Sequence, residues 1–181
     1  MSERLNPIVG VLRVAFGRAD GLARFGTTVQ SFLASLAPLI AFPIVGAMLE
    51  FLHDGLMPAI SLILLTLVAQ LTPPVLSHAM AVRLGREEAW LHYATAYNWC
   101  YWALPIVGAI LMVVFGTATG AGLPSTLAAK GVLMCLGAYS LWLHWFLARH
   151  ALQLSRGRAA LLVAVVNAGT LILVIGPGLL G

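Results

Sequence analysis

The stretch YATAYNWCYWALPIVGAI, residues 93–110, places its polar and aromatic side chains at one end and leaves the other end apolar. The apolar half can lie in hydrocarbon. Tyr and Trp rings instead prefer the boundary between lipid and water, which accommodates both an apolar ring and a polar N–H or O–H. The stretch therefore predicts a transmembrane helix that enters the membrane at its amino end.

The composition of the chain is that of an integral membrane protein. Of its 181 residues, 61% are hydrophobic and 9% are charged, against about 25% charged residues in soluble domains. A chain this apolar cannot cover a water-facing surface. Its net charge is +4, but all the basic residues except one lysine are arginines in short segments between apolar runs. This pattern orients membrane proteins and does not indicate a nucleic-acid partner.

Five apolar runs are long enough to span a bilayer, which takes about 20 residues. Backbone groups in hydrocarbon must bond internally, and the absence of strict alternation excludes barrel strands. We therefore predict an all-α integral membrane bundle of five transmembrane helices over residues 27–181. The predicted spans are 27–49, 56–80, 91–115, 127–148 and 159–180.

We predict that the arm before the spans, residues 1–26, forms an amphipathic helix in the membrane interface. Within LNPIVGVLRVAFGRADGLARFG, Asn6 suits the N-cap and Pro7 the first helical position. On a helical wheel the apolar and charged side chains separate, as in helices that lie in the membrane interface. The alternative is that the arm packs against the bundle as a leader of the first span. The apolar side consists of Leu5, Ile8, Val9, Leu12, Ala15 and Phe16.

The arginines predict the sidedness of the chain. The arm and the connections near 81–90 and 149–158 carry all of them, whereas the other two connections have only Lys130. This predicts a cytoplasmic N-terminus and a periplasmic C-terminus, and the Arg-, Ala- and Leu-rich usage fits a bacterial inner membrane. A set of aromatic residues then falls near the cytoplasmic interface, where it forms a belt or, alternatively, docks a lipid or partner. The set is Trp90, Tyr93, Tyr97, Trp99, Tyr101, Trp102, Trp142 and Trp145.

The residues inside the spans do not predict an enzyme. Ion-coupled transport and intramembrane catalysis usually need an ionisable group in the membrane, but every Asp and Glu lies in an arm or loop. The sequence has no hydrolase, metalloprotease or phosphate-binding motif, so we expect no catalytic residues and no cofactor. We expect Gln70, Asn98 and Asn167 to bond facing helices, each bond contributing roughly 0.5–2 kcal/mol.

The histidines offer one candidate metal site. His78, His92 and His144 project to the same half of the bundle, and imidazole is a common metal ligand. Chance and the preference of amphipathic side chains for interfaces explain the same distribution. We therefore expect no bound metal and retain these three as the set to test.

The layout and two stretches resemble the bacterial branch of the Yip-domain family of multi-pass membrane proteins. LGREEAWLHYATAYNWCYWALPIVGAI, residues 84–110, is similar to the family's second cytoplasmic loop and third span. LAAKGVLMCLGAYSLWLHWFLARHAL, residues 127–152, is similar to its fourth span, with Tyr139 at a recurring position. The resemblance implies a five-helix membrane fold. Eukaryotic members are tied to Rab GTPases and vesicle traffic, but their long soluble N-terminal region has no counterpart here, and no catalytic residue is carried over.

Three functions fit these features. The first is a non-enzymatic inner-membrane protein of Yip type that organises the membrane or scaffolds a protein partner through its cytoplasmic loops. The second is a small transporter or channel with a pathway among the proline-containing first three spans, near Gln70 and Asn98. The third is an accessory subunit of a larger membrane complex. The oligomeric state is left open.

Overall fold

Each predicted apolar run forms helix in the computed structural model, which describes residues 5–179. No strand occurs among these residues, and this confirms the all-α class. A short 3₁₀ helix, Ala19–Arg24, follows the first helix, and a 3₁₀ turn, Glu87–Ala89, precedes the fourth. The helices are α1 (Pro7–Ala15), α2 (Val29–Asp54), α3 (Leu56–Arg83), α4 (Trp90–Tyr101), α5 (Ala103–Gly120), α6 (Ser125–Ala151) and α7 (Arg156–Leu179).

Five helical segments are long and apolar enough to cross a membrane, as the sequence predicted. Four of them are single helices. The remaining one combines the 3₁₀ turn, α4 and α5 into one 34-residue segment. The segments are Val29–Asp54, Leu56–Arg83, Glu87–Gly120, Ser125–Ala151 and Arg156–Gly176.

The prolines affect the helices unequally. α2 continues through Pro38 and Pro43, and α3 continues through the pair at 73 and 74. The third predicted span has a one-residue interruption at Trp102, between α4 and α5, where the dihedrals stay helical (φ −63°, ψ −23°) and the 34-residue segment continues. Pro105 lies just beyond this interruption, and its missing N–H removes the helical donor for the carbonyl of Tyr101. In α3, Pro73 and Pro74 likewise remove the helical donors for the carbonyls of Ala69 and Gln70. The Thr72 hydroxyl donates to the neighbouring Val68 carbonyl at 2.6 Å, which is a bond within the helix.

The large buried side chains lie at one end of the bundle. This end is formed by the start of α2, the end of α3, the start of α4, the end of α6 and the start of α7, and the connections there carry the described arginines. The buried cluster includes Tyr93, Leu143, Leu147, Leu162 and Val166. Buried apolar residues outside that cluster are small: Ala47, Ala59, Ala103, Ala128 and Val163. The bundle is therefore tightly packed at its arginine-bearing end.

The arm folds onto this packed end. Asn6 caps α1, its side-chain oxygen accepting from Val9 N at 3.2 Å. The Tyr139 hydroxyl of α6 donates to the Ala15 carbonyl at 3.2 Å. The outer side of α1 keeps its apolar residues exposed, with Ile8 at 71% and Phe16 at 83%. The arm is thus attached to the bundle and still presents an apolar stripe outward.

An ion-pair cluster closes the arm on itself. One carboxylate oxygen of Asp20 accepts from Arg13 at 2.8 Å and from Arg18 at 3.0 Å. The hydrogen bond from Arg18 is the main reason that the pKa of Asp20 lies below its ordinary value. The cluster is solvent-exposed, so it orients the arm more than it stabilises the fold.

The backbones of α1 and the 3₁₀ helix approach each other closely at two glycines. A Cβ atom at Gly21 would lie 2.8 Å from the Gly10 carbonyl oxygen and 2.7 Å from the Arg13 Cβ. Real Cβ atoms do not make such contacts, so any larger residue at Gly21 must separate the two segments.

We expect Gly21→Ala to loosen the arm, because overpacking a close contact costs on the order of 1–3 kcal/mol. Hydrogen–deuterium exchange over residues 7–25 should then increase while exchange in α6 and α7 stays unchanged. Gly157→Ala is the matched control, because that site is exposed and has no atom within 4 Å of an added Cβ. Equal exchange profiles for the two variants would contradict the close approach.

Candidate functional site

A buried polar network joins three helices at the arginine-bearing end. The Tyr93 hydroxyl of α4 lies 2.7 Å from Nε2 of His144 in α6. On the other edge of the ring, Nδ1 of His144 lies 3.1 Å from Nδ2 of Asn167 in α7. Tyr93 and His144 are each only 1% exposed. The network therefore satisfies polar groups that would otherwise be costly to hold inside the bundle.

The hydrogen-bond partners assign the proton on His144. Nδ2 of Asn167 also donates to the Val163 carbonyl at 2.8 Å, and this bond fixes which side of the amide is the donor. The same amino group must then donate to Nδ1 of His144, which leaves the ring proton on Nε2. His144 Nε2–H donates to the Tyr93 oxygen. Both ring nitrogens are occupied, so His144 connects helices and has no open position for a metal.

A second buried bond joins α2 to α4. Nδ2 of Asn98 donates to the Ser35 hydroxyl oxygen at 3.0 Å, and that hydroxyl donates to the Phe32 carbonyl at 2.6 Å. Ser35 and Asn98 are 0% and 2% exposed. The predicted intramembrane residues Asn98 and Asn167 thus both bond a facing helix.

Several residues of the predicted aromatic belt lie inside the bundle. Tyr93 and Tyr97 are buried, and the Tyr97 ring lies 4.8 Å from the His144 ring in an edge-on arrangement. Tyr97 also packs against Tyr101, with 4.3 Å between ring centroids. Tyr93 and Tyr97 therefore form part of the helix-packing core, and Tyr101 lies at its edge.

The tryptophans lie nearer the outside of the bundle. Trp90 donates its Nε1–H to Ser77 at 3.1 Å, and Trp145 donates to the Arg156 carbonyl at 3.2 Å. Trp142 is 37% exposed, and Trp99 and Trp102 are half-buried. The sequence did not predict Ser77 as the partner of Trp90, because no sequence pattern distinguishes a hydrogen-bonded serine from any other serine in an apolar run.

The structure does not bring the three candidate histidines together. His92 Nε2 lies 2.9 Å from the Leu22 carbonyl of the arm. His78 packs edge-on against Trp90, with Nε2 3.9 Å from a carboxylate oxygen of Glu87. Within residues 5–179, no group of three His, Cys, Asp or Glu side chains is arranged to hold a metal ion.

Hydrogen bonds join the arm and two connections into one surface. His92 connects α4 to the arm, and Arg86 in the second connection donates to the Gln153 carbonyl in the fourth at 3.5 Å. We call this surface the arginine face and define it as arm residues 5–25, connection 84–89 and connection 152–155, with the helix ends beside them. Its described basic residues are Arg13, Arg18, Arg24, Arg83, Arg86, Arg149, Arg156 and Arg158, and its described acidic residues are Asp20, Glu87 and Glu88.

Two apolar cavities lie along α2, α3 and the α4–α5 segment. The first, of about 530 Å³, is here called the aromatic groove. The second, of about 500 Å³, is here called the Gln70 cavity. The aromatic groove is lined by Phe32, Leu36, Leu71, Pro74, Val75, His78 and Trp90. The Gln70 cavity is lined by Leu39, Gln70, Tyr101, Trp102, Pro105 and Ile106.

Gln70 differs from the two asparagines. Its side-chain oxygen is buried and has no hydrogen-bond partner among the described residues. An unsatisfied amide oxygen costs free energy in hydrocarbon, where water does not compensate. The predicted bond from Gln70 to a facing helix is therefore not present in the described part of the chain.

Comparison with known proteins adds no assignment. No family model, curated protein or solved structure matches this chain. We therefore infer function from the sequence and from the contacts of the described residues.

We expect Tyr93→Phe to lower the free energy of unfolding by roughly 0.5–2 kcal/mol, the range for hydrogen bonds between membrane helices. His144→Phe should cost more, because it also removes the acceptor for Asn167. Denaturant titration of detergent-solubilised protein measures both effects. In the double variant the two losses should not add, since both substitutions remove the same Tyr93–His144 bond. Additive losses would show that the pair is not coupled.

Proposed function

We propose that this chain is a non-enzymatic, multi-pass membrane protein that presents its arginine face to the cytoplasm as a rigid docking surface for a protein partner. The observation that carries the proposal is the packing asymmetry. The large buried side chains and the interhelical polar bonds lie at the arginine-bearing end. Rigid surfaces favour specific binding because less motion is lost on association.

The contacts at this end support a pre-organised surface. His92 fixes the arm through the Leu22 carbonyl, and Arg86 fixes the fourth connection through the Gln153 carbonyl. Leu22 and Phe25 of the arm are buried in the same core as α4 and α6. The arm is therefore held on the core, and one exposed contact of 3.5 Å links the two connections beside it.

The charge distribution supports the cytoplasmic orientation. Eight described arginines lie on the arginine face or at the helix ends beside it, and Lys130 is the described basic residue nearest the opposite end. Cytoplasmic connections carry the excess of Arg and Lys. An odd number of spans then places the two ends of the chain on opposite sides. The composition is that of a bacterial inner-membrane protein.

The resemblance to the Yip-domain family supports the same proposal. Residues 84–110 and 127–152, which carry the resemblance, contain Tyr93 and His144, the two residues that bond α4 to α6. Membrane organisation or partner scaffolding is the function that the resemblance implies. No residue role is transferred from that family.

The Gln70 cavity favours transport as a second candidate function. It lies beside the interruption between α4 and α5, and Gln70 contributes an amide oxygen without a partner among the described residues. Broken helices and unpaired polar groups often line transport sites. The lining side chains carry no formal charge, so the solute would be small and neutral.

We expect photo-crosslinking amino acids at Arg18 and Glu88 on the arginine face to capture the same protein in native membranes. His92→Ala should reduce capture from Arg18 modestly and leave capture from Glu88 unchanged, because the arm loses one contact while the Tyr139 bond and its buried side chains still hold it. Positions His53 and Ala121, at the opposite end, are the controls. Mass spectrometry identifies the adducts. Identical adducts from both ends, or no adduct from the arginine face, would contradict the docking surface.

For the second candidate, we expect purified protein in liposomes to accelerate glycerol or urea entry, as measured by stopped-flow light scattering. Gln70→Leu should abolish the acceleration by removing the polar group in the cavity. Thr66→Val is the control, because Thr66 donates to the Leu62 carbonyl of its own helix. Liposomes with wild-type protein that match empty liposomes for both solutes would remove the transport candidate.

A further inference from the structure

The aromatic groove opens beside the arginine face. Its mouth is aromatic, with the Trp90 ring 5.3 Å from the Phe32 ring and 4.7 Å from the His78 ring. From His78 the groove follows α3 inward to Leu71, a distance of about 10 Å at the helical rise. It therefore extends from the interfacial end of the helices into the membrane-spanning region.

The polarity of the groove changes along its length. Below the mouth it is lined by aliphatic side chains and Pro74. The indole N–H of Trp90 already donates to the Ser77 hydroxyl, so a bound molecule does not have to supply an acceptor for it. His78 is half-exposed at the mouth, with Nε2 3.9 Å from Glu87. An occupant thus needs an apolar segment inside the groove and a polar group at the mouth.

The volume and surroundings of the groove fit a lipid chain. A cavity of about 530 Å³ falls within the usual range for small-molecule sites. A helix of a partner protein is about 10 Å across and would need a broad face to pack on. This groove lies between α2, α3 and Trp90 and does not offer such a face. At this depth the bilayer itself supplies acyl chains at high concentration.

The charge beside the mouth selects the headgroup. The eight arginines and three carboxylates of the arginine face give a positive balance on this side of the bundle. The charged side chain at the mouth itself is Glu87, 3.9 Å from His78. Arg83, five residues beyond His78 on α3, lies about 7 Å further along the helix axis and about 140° around it, so the attraction for an anion comes from the overall charge of the arginine face. Positive clusters at the membrane surface attract anionic lipids.

We propose that the aromatic groove is a binding site for an anionic phospholipid of the leaflet on the arginine side. One acyl chain lies along Leu36, Leu71 and Val75. The headgroup lies at the mouth beside His78, on the positively charged side of the bundle. The site is distinct from the protein-docking surface, because it opens between helices toward the lipid.

The first test measures lipid retained by the purified protein. Val75 is 67% exposed in the groove, and Val75→Trp should fill it and remove most of the retained phospholipid. Val68→Trp is the matched control, because Val68 is 41% exposed two turns earlier on α3 and outside the groove lining. After extensive detergent exchange, mass spectrometry should find one phospholipid per chain in the wild type and in Val68→Trp. Equal retention in both variants, or none in the wild type, would overturn the proposal.

The headgroup is tested by equilibration with mixed micelles of phosphatidylglycerol and phosphatidylcholine. We expect a roughly fivefold preference for phosphatidylglycerol, the size expected for one arginine near the surface. The preference should disappear in Val75→Trp. Equal binding of the two lipids to the wild type would overturn the anionic site.

The last test uses the wild-type chain, so it does not depend on folding of a variant. Phosphatidylglycerol with a photoreactive acyl chain is incorporated into nanodiscs with the protein and activated. Adducts should be concentrated on residues 71–78 of α3 relative to residues 161–168 of α7, which lie at a similar distance from the arginine-bearing end and carry exposed side chains such as Leu161 and Val165. An even distribution over both segments would mean ordinary annular lipid and would overturn the site.

Discussion

Hydrocarbon provides no hydrogen bonds, and the rest of this structure follows from that constraint. Hydroxyl groups inside the spans can bond a carbonyl of their own helix, as Thr66 and Thr72 do, whereas several larger polar side chains reach other helices. His144 does so on both ring nitrogens, toward Tyr93 and Asn167, and Asn98 does so toward Ser35. Because each of these bonds joins different helices, they fix which helices are neighbours and how far each is rotated.

The same constraint explains the uneven packing. Polar bonds and large buried side chains occur together at the arginine-bearing end, where the arm adds Val14, Leu22 and Phe25 to the core. Toward the other end the buried apolar residues are mainly alanines. The arginine-bearing end of the bundle therefore has the more fixed geometry, which is why we propose the docking surface there.

The sequence was sufficient for the helices because long apolar runs have few alternatives in a membrane. All five predicted spans have a matching helical segment. Position along the chain did not distinguish the proline at 105, which adjoins a one-residue interruption, from Pro38 and Pro43, which do not interrupt α2. That difference depends on local packing, which a single sequence does not specify.

The candidate site was only partly predictable. Asn98 and Asn167 were expected to bond facing helices, but the sequence did not predict their partners. Ser35 lies 63 residues from Asn98, and His144 lies 23 residues from Asn167. Tyr93 and His144 are 51 residues apart, and nothing in either stretch indicates the pairing. Tyr93 and Tyr97 also fit an interfacial belt, because the same amphipathic ring suits both an interface and a hydrogen-bonded core. Burial decides between the two, and burial depends on the assembled bundle.

The sidedness of the arginine face is tested most directly by single cysteines in a chain lacking Cys100 and Cys135. Glu88→Cys reports on the arginine face and Ala121→Cys on the opposite end, and intact cells are labelled with a membrane-impermeant maleimide. We predict labelling of the cysteine at 121 and none at 88 until the cells are opened. Labelling at 88 in intact cells would contradict the cytoplasmic orientation and, with it, the proposed docking surface.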